Sequence, residues 1–440
     1  MPQSRRSLWI IAAGLIASSA LPGQSPPPNQ DYSAAAEVNH LLPKWLRFGG
    51  EYRARFEGYT GGGFKPATTD DYLLSRLRLN LTIQPLPWLK FFGEGQDARA
   101  LSKNPALPPY QDTWDIRVAY VELGDSEKYP FSLKAGRQEI NLGDQRLVGN
   151  SNWNNVPRSF DAVRGGFHYK GYRLDMFAAS VVNPVDGTWD HHQQGNNLDG
   201  LYGGIEKLIP GATIEPYILW RLQPSLRNEA GSIAKLDEKV PGIRWVGKLP
   251  YGFDYGLEMV KEFGSLGSDN VHAWAGHWVI GVTDSKARLK PRVYLEYNYA
   301  SGDKNSKDGV RATFDQLYPT AHDKYGFDDQ VGWKNIKDFR AGLETKPRRN
   351  ITAFIEYNDW LLATPYDGLY NSASAVVARS ANGSAGTHVG QEIDIYSTWT
   401  ILKPLQAGAG FGHIFPGEFL KKTTPGRAYN YPYLMFTYKF

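Results

Sequence analysis

The last ten residues, YPYLMFTYKF, alternate in a way that few folds can use. Counting back by twos from Phe440 puts Tyr438, Phe436 and Leu434 on one face of a strand, and Lys439, Thr437 and Met435 on the other. One face suits lipid and the other water. A chain that crosses a bilayer with strands needs this alternation together with closure, because lipid leaves no backbone group a solvent partner. The edge strand of a soluble sandwich has the same period, so the rest of the chain must decide between them.

Residues 1–20 read as a secretory signal. Arg5 and Arg6 supply the positive end, Leu8 to Ala17 an apolar run, and Ser18, Ser19 and Ala20 the small residues of a cleavage site, with cut expected after Ala20. SRRSLW also resembles a twin-arginine signal, but nothing downstream looks like a cofactor site that would require export of a folded chain. The apolar run is too short to span a bilayer and none like it follows, so no transmembrane helix is expected in the mature chain. The expected organisation is a signal peptide at 1–20, a Pro-rich periplasmic segment at 21–45, and one domain at 46–440.

Mean hydropathy is −0.45, a soluble-looking value, yet aromatics reach 13% and glycine counts 46. A barrel with a polar lumen conceals its membrane face in this way. Cysteine is absent, which excludes a disulfide framework and thiol chemistry. Without Arg5 and Arg6 the chain carries 47 basic and 45 acidic side chains, so its net charge gives no reason to expect a nucleic-acid partner.

Strand patterns begin near Leu46, Tyr72, Leu89, Thr113, Phe131, Phe160, Tyr172, Leu198, Ala212, Val240, Phe253, Val271, Pro291, Asp338, Asn350, Gly390, Leu405 and Tyr431, about 18 in all. The even count places both ends on the periplasmic side. Short connections with Pro or Gly, at 84–87, 209–211, 249–252, 345–347 and 402–404, alternate with longer polar stretches at 58–71, 183–197, 223–239, 301–337 and 362–389. That asymmetry is the one expected of short periplasmic turns and long external loops. The fold class is therefore all-β: a transmembrane antiparallel β-barrel of about 18 strands. A propeller would show a blade repeat, and none is visible.

Strand parity divides lipid from lumen. In the first hairpin Leu46, Phe48, Tyr52, Phe56, Leu77, Leu79, Leu81 and Ile83 face out, while Arg47, Glu51, Arg53, Arg55, Glu57, Arg76 and Arg78 face in. Elsewhere the inward set includes Arg117 between Ile116 and Val118, Arg244 beside Ile243 and Trp245, Arg292 with Glu296 and Asn298, and Glu356 with Asn358. Alternate residues lie roughly 7 Å apart and adjacent strands about 4.8 Å, so Arg53, Arg55, Arg76 and Arg78 form a lattice of guanidinium forks suited to carboxylates or phosphates. Such ladders also brace barrels without selecting ions.

Catalytic scaffolds are lacking: HExxH, Walker A, GxSxG and CxxC are all absent, and the SGDK and SDN fragments stand in the wrong order for a β-lactamase. His191 with His192, and His322 with Asp323, Asp328 and Asp329, fall in external loops without metal-ligand spacing. No catalytic residue, cofactor or metal site is expected from these patterns.

The segment GRQEINLGDQRLVGNSNWNNVPRSFDAVRGG, Gly136 to Gly166, closely resembles the signature of the alginate export family of outer-membrane porins, and residues 301–327, 411–421 and the closing YLMFTYKF look similar too. The resemblance implies an 18-stranded barrel in the outer membrane of a Gram-negative-type bacterium, a channel rather than an enzyme. On the matching positions Arg137, Glu139, Asp144, Arg146, Trp153, Asn154, Arg158, Phe160 and Asp161 carry the motif, and Gly143 and Gly149 permit tight turns. A loop of this kind either narrows the barrel or stabilises its rim. The leading expectation is a channel for an anionic polysaccharide or its oligomers, with Arg53, Arg55, Arg76, Arg78, Arg117, Arg244 and Arg292 setting selectivity. A small-solute porin is the alternative and an outer-membrane hydrolase a third reading. Expected partners are membrane lipid, the barrel assembly machinery through the strand ending at Phe440, and the transported solute.

Overall fold

The pleated alternation closes on itself. In a computed structural model, which describes residues 34–124 and 128–440, strands begin at Leu46, Thr69, Leu89, Asp112, Phe131, Phe160, Tyr172, His191, Ala212, Ile233, Phe253, Asp269, Arg292, Ile336, Ile351, His388, Leu405 and Tyr429. These eighteen pair antiparallel with their chain neighbours, and the last, Tyr429–Lys439, pairs with the first, Leu46–Thr60, through Tyr52↔Tyr438 and Ala54↔Phe436. Closure leaves no edge. The signal expected at 1–20 lies outside the described residues, as does most of the segment 21–45. Its last part forms the helix Ala34–Leu41, where Asn39 exchanges two hydrogen bonds with Phe48, Nδ2 donating to the carbonyl at 2.7 Å and Oδ1 accepting from the amide at 2.8 Å.

The observed strand starts fall close to the expected ones, with two informative exceptions. The strands expected from Leu198 and Val240 begin at His191 and Ile233, because backbone pairing continues (Asn183↔His191, Arg227↔Ile233) where the apolar alternation has ended. Hairpins that rise past the lipid band can be polar on both faces, so stretches 183–197 and 223–239 are largely strand rather than loop. A further correction concerns Val118. Glu94 pairs with Val118 and Gly95 with Ile116, so Arg117 is a β-bulge, and Arg117 and Val118 both turn inward.

Leu73, Leu81, Leu434 and Phe436 are exposed on the outer wall, whereas Arg53, Arg55, Arg76 and Arg78 are buried inside it. The lumen is not uniformly polar. Loops 139–159, 301–335 and 363–387 fold inward and carry Ile140, Val148, Phe314, Tyr325, Trp333 and Leu369 against the wall residues Phe160, Leu198, Val240 and Trp360. The core of the barrel therefore sits at its long-loop end, where loops supply the side chains that a barrel this wide cannot fill from strands alone.

Candidate functional site

Arg53 and Arg76 face each other directly across the first hairpin. Two like charges so placed repel, and the hairpin, whose Glu51 bonds Arg76 alone, gives them no acceptor to share. The loop 139–159 does. Arg53 donates to the carbonyl oxygens of Asn152 (2.8 Å), Trp153 (3.0 Å) and Asn154 (3.1 Å), and to Asn155 Oδ1 at 3.4 Å. Arg76 donates to the Asn152 and Asn154 carbonyls at 3.1 and 3.0 Å, and to Glu51 Oε1 at 2.7 Å. Arg55 donates to the Trp153 carbonyl and pairs with Glu57. Charge-assisted bonds of this kind are worth roughly 1.5–3 kcal/mol each, so the guanidinium lattice is a clamp on the loop. Arg78 lies outside the clamp and donates to Gln96 Oε1 at 2.8 Å.

The clamp presents Trp153. Its indole stacks on His322 with ring centroids 3.9 Å apart and planes at 6°, and the Arg55 guanidinium lies 3.9 Å over the ring. Phe327 and Tyr433 meet it edge-on. Trp153 and His322 both line two cavities. An outer one of about 680 Å³ also includes Glu57, Tyr59, Tyr72, Tyr110, Tyr429 and Tyr431. An inner one of about 520 Å³ includes Glu51, Arg53, Arg76, Asp323 and Lys439. The stacked pair thus stands between an aromatic outer chamber and a charged inner one.

Two loops form this constriction together. Gly149 N donates to the Tyr318 carbonyl at 2.9 Å, Tyr318 N to the Leu147 carbonyl at 2.8 Å, and Thr320 N to the Gln145 carbonyl at 2.9 Å. Gly149 is needed for this approach rather than for a turn, since a Cβ there would meet Thr320 Oγ1 at 2.3 Å. Gly143 does turn, with φ 51°. Arg158, pulled down to about 10 by burial despite Tyr318 nearby, donates to the carbonyls of Gly149, Tyr318 and Pro319.

The remaining motif residues tie this assembly to the wall. Arg146 pairs with Glu296 at 2.9 Å, Asp144 with Arg244 at 2.5 Å, and Glu139 with Arg117 at 2.5 Å. Arg244 holds the Asp144 carboxyl below the ordinary range against the burial that would raise it. Arg137 and Asp161 form a cross-strand pair at 2.8 Å, and buried Phe160 packs against Tyr318. Arg292 stands apart, paired with Asp254 at 2.6 Å. The sequence reading missed Asn155, whose Nδ2 donates to the carbonyls of Ser75, Arg99 and Tyr110. Its only signal is the Asn-rich run in which it lies.

The His and Asp residues singled out in the external loops separate. His322 Nδ1 lies 2.9 Å from Asp329 Oδ2, His192 Nδ1 lies 3.1 Å from Asp161 Oδ2, and Asp328 turns away toward Glu392 and Asp394 on the wall.

A family model described as alginate export matches residues 44–433. No curated protein matches the chain. Among solved structures, the fold is similar to that of Pseudomonas aeruginosa OpdQ, with TM-score 0.62 and 11% identity over 90% of this chain and 97% of that one. It is also similar to P. aeruginosa OccK8 (OprE), at TM-score 0.59 and 11% identity over 90% and 98%. For P. aeruginosa OpdK solved with vanillate the values are 0.60 and 9% over 89% and 98%. At these identities the likeness is one of fold.

Proposed function

The chain belongs to the alginate export family, and from that premise we propose that it passes an anionic polysaccharide, an alginate-like polyuronate or its oligomers, through the Trp153–His322 constriction. At the coarser level it is a porin-type channel of a Gram-negative-type outer membrane, not an enzyme. The polyanion reading rests on Arg53. This guanidinium lines the inner chamber and its hydrogen-bond partners are neutral oxygens, so its charge acts on whatever passes. Arg76 lines the same chamber with Glu51 as its counter-charge.

In this reading Arg53 and Arg76 set selectivity, Arg55 and Trp153 shape the constriction, and Arg78 supports the lattice from its flank. Arg117, Arg244 and Arg292 face carboxylates and brace the wall. Arg137, Glu139, Asp144, Arg146, Asn154, Arg158 and Asp161 hold the loop. Phe440, whose backbone exchanges hydrogen bonds with Gly50 at the closing seam, would present the last strand to the assembly machinery.

One observation favours a second reading, a porin for small aromatic or anionic solutes. Five tyrosines, Tyr59, Tyr72, Tyr110, Tyr429 and Tyr431, line the outer chamber, and the similar barrel OpdK was solved with vanillate. Blockade of single-channel current separates the two. Uronate oligomers that interrupt the current at lower concentration than vanillate or neutral oligosaccharides support the polyanion channel; vanillate blocking better than uronates supports the small-solute porin.

A further inference from the structure

Most carboxylates buried in the lumen have a partner. Glu57 accepts from Tyr72 at 2.7 Å, Glu258 from Tyr217 at 2.7 Å, Glu296 from Arg146 at 2.9 Å and Glu356 from Arg340 at 2.5 Å. One group differs. Glu392 and Asp394, two residues apart on the strand His388–Leu402, point inward and are fully buried, and the loop 301–335 lowers Asp328, 3% exposed, onto them. One oxygen from each lies within 4.8 Å of the others. Both oxygens of Asp328, both of Asp394 and Glu392 Oε2 have no hydrogen-bond partner. Arg340, two strands away, is committed to Glu356 and to the Lys324 carbonyl at 3.1 Å.

A second observation comes from outside the acids. Asn358 stands directly opposite Glu392 in the cross-strand register, is fully buried, and neither its Oδ1 nor its Nδ2 has a partner. A buried amide of that kind costs free energy unless something answers it. Glycines keep the space open. A Cβ at Gly412 would fall 2.0 Å from Asp328 Oδ1 and 2.8 Å from Asp394 Oδ1, and one at Gly326 would fall 2.2 Å from Glu392 Oε2.

We propose that Asp328, Glu392, Asp394 and Asn358 bind a divalent cation of the Ca²⁺ class, which fastens the constriction loop to the barrel wall. The donors are all oxygen, with neither imidazole nor thiolate, which suits a hard cation rather than zinc. Three carboxylates more than balance its charge, and Asn358 Oδ1 adds a neutral donor. The loop is positioned for the task, since Phe327 N and Asp328 N donate to Glu392 Oε1 at 2.7 and 2.9 Å. Burial and the adjacent Asp394 and Asp329 raise the Asp328 carboxyl above its ordinary range.

Tb³⁺ luminescence tests the site, because Trp360 packs beside Glu392 at Gly326 and can sensitise a bound lanthanide. The full mature chain, refolded in detergent and stripped with EDTA, is titrated with Tb³⁺ under indole excitation. Emission should saturate at a single ion per chain and be displaced by Ca²⁺. Asp328→Asn and Asp394→Asn should each weaken binding about tenfold or more, since affinity follows ligand charge. Asp190→Asn, in the separate acidic group with Asp112 and Asp115, should leave it unchanged. Wild-type protein without sensitised emission overturns the proposal. So does binding that survives both Asp328→Asn and Asp394→Asn, or that disappears in Asp190→Asn. Heat-modifiable migration on a gel verifies folding, and the wild-type titration decides the matter even where a variant does not fold.

Discussion

Two stretches of the lumen wall treat buried charge in opposite ways. On the first hairpin, Arg53 and Arg76 repel each other and are reconciled by loop carbonyls, neutral acceptors for the terminal nitrogens of both, with Glu51 a counter-charge paired to Arg76. Three strands further round the wall, Glu392 and Asp394 repel each other and the loop brings them a third acid, Asp328. A backbone carbonyl can cap a cation, but it cannot cap a carboxylate. The loop answers most donors of the basic stretch with protein oxygens, whereas the acidic stretch leaves five carboxylate oxygens for the proposed cation or for protons.

The largest effect that could break this comparison is loss of the clamp. Arg53→Ala combined with Arg76→Ala removes the donors to Asn152 and Asn154, and with roughly 1.5–3 kcal/mol lost per charged bond the loop should leave the wall. Single-channel conductance is expected to rise severalfold, and limited proteolysis from the external side should cut near Asn150. The Lys pair keeps the charge and loses the forks, so it should show the conductance change in weaker form. Unchanged conductance in the Ala pair would mean that the loop is held by other contacts.

A somewhat smaller effect sharpens the contrast between the faces of one strand. Leu79→Arg places a charge toward lipid at about 2–4 kcal/mol near the midplane. Arg78→Leu, on the lumen side, leaves Gln96 Oε1 without its donor at about 1–3 kcal/mol. Urea midpoints of refolded barrels should fall in that order, and the reverse order would contradict the face assignment.

The acidic wall should give the smallest shifts and the opposite sign. In EDTA, Asp394→Asn should stabilise the barrel by about 1–3 kcal/mol, less than the full repulsion of unit charges at such separations because protonation relieves part of it. The pH dependence follows from the raised Asp328 carboxyl. A folded state that binds more protons than the unfolded chain loses stability as pH rises, so EDTA-treated wild type should unfold more easily at pH 8 than at pH 5. Ca²⁺ should flatten that slope. A stabilisation that grows with pH in EDTA would remove the basis for treating the acids as uncompensated.

What the sequence revealed and what it hid divide along the same line. Strand faces were legible because Leu79 and Arg78, or Phe436 and Thr437, differ at period two. Where both faces are polar, as at His191 to Asn197, the pattern stops while pairing continues, and the strand start was misplaced. The arginine lattice was legible as placement but not as a clamp, because its acceptors are backbone carbonyls of Asn152, Trp153 and Asn154, and a carbonyl leaves no mark in a sequence. The acidic group was half legible. Glu392 and Asp394 share a face by spacing, and Asn358 stood on the inward face of its own strand, but only the folded loop shows that Asp328 joins them.

Reversal potential across a planar bilayer under a KCl gradient tests most directly whether the clamped arginines make this an anion channel. The wild-type channel should prefer chloride, and Arg53→Gln with Arg76→Gln, which removes the charge while leaving an amide able to donate to the loop, should move the potential toward zero. A wild-type channel that prefers potassium, or a Gln pair whose reversal potential matches the wild type, would contradict the account.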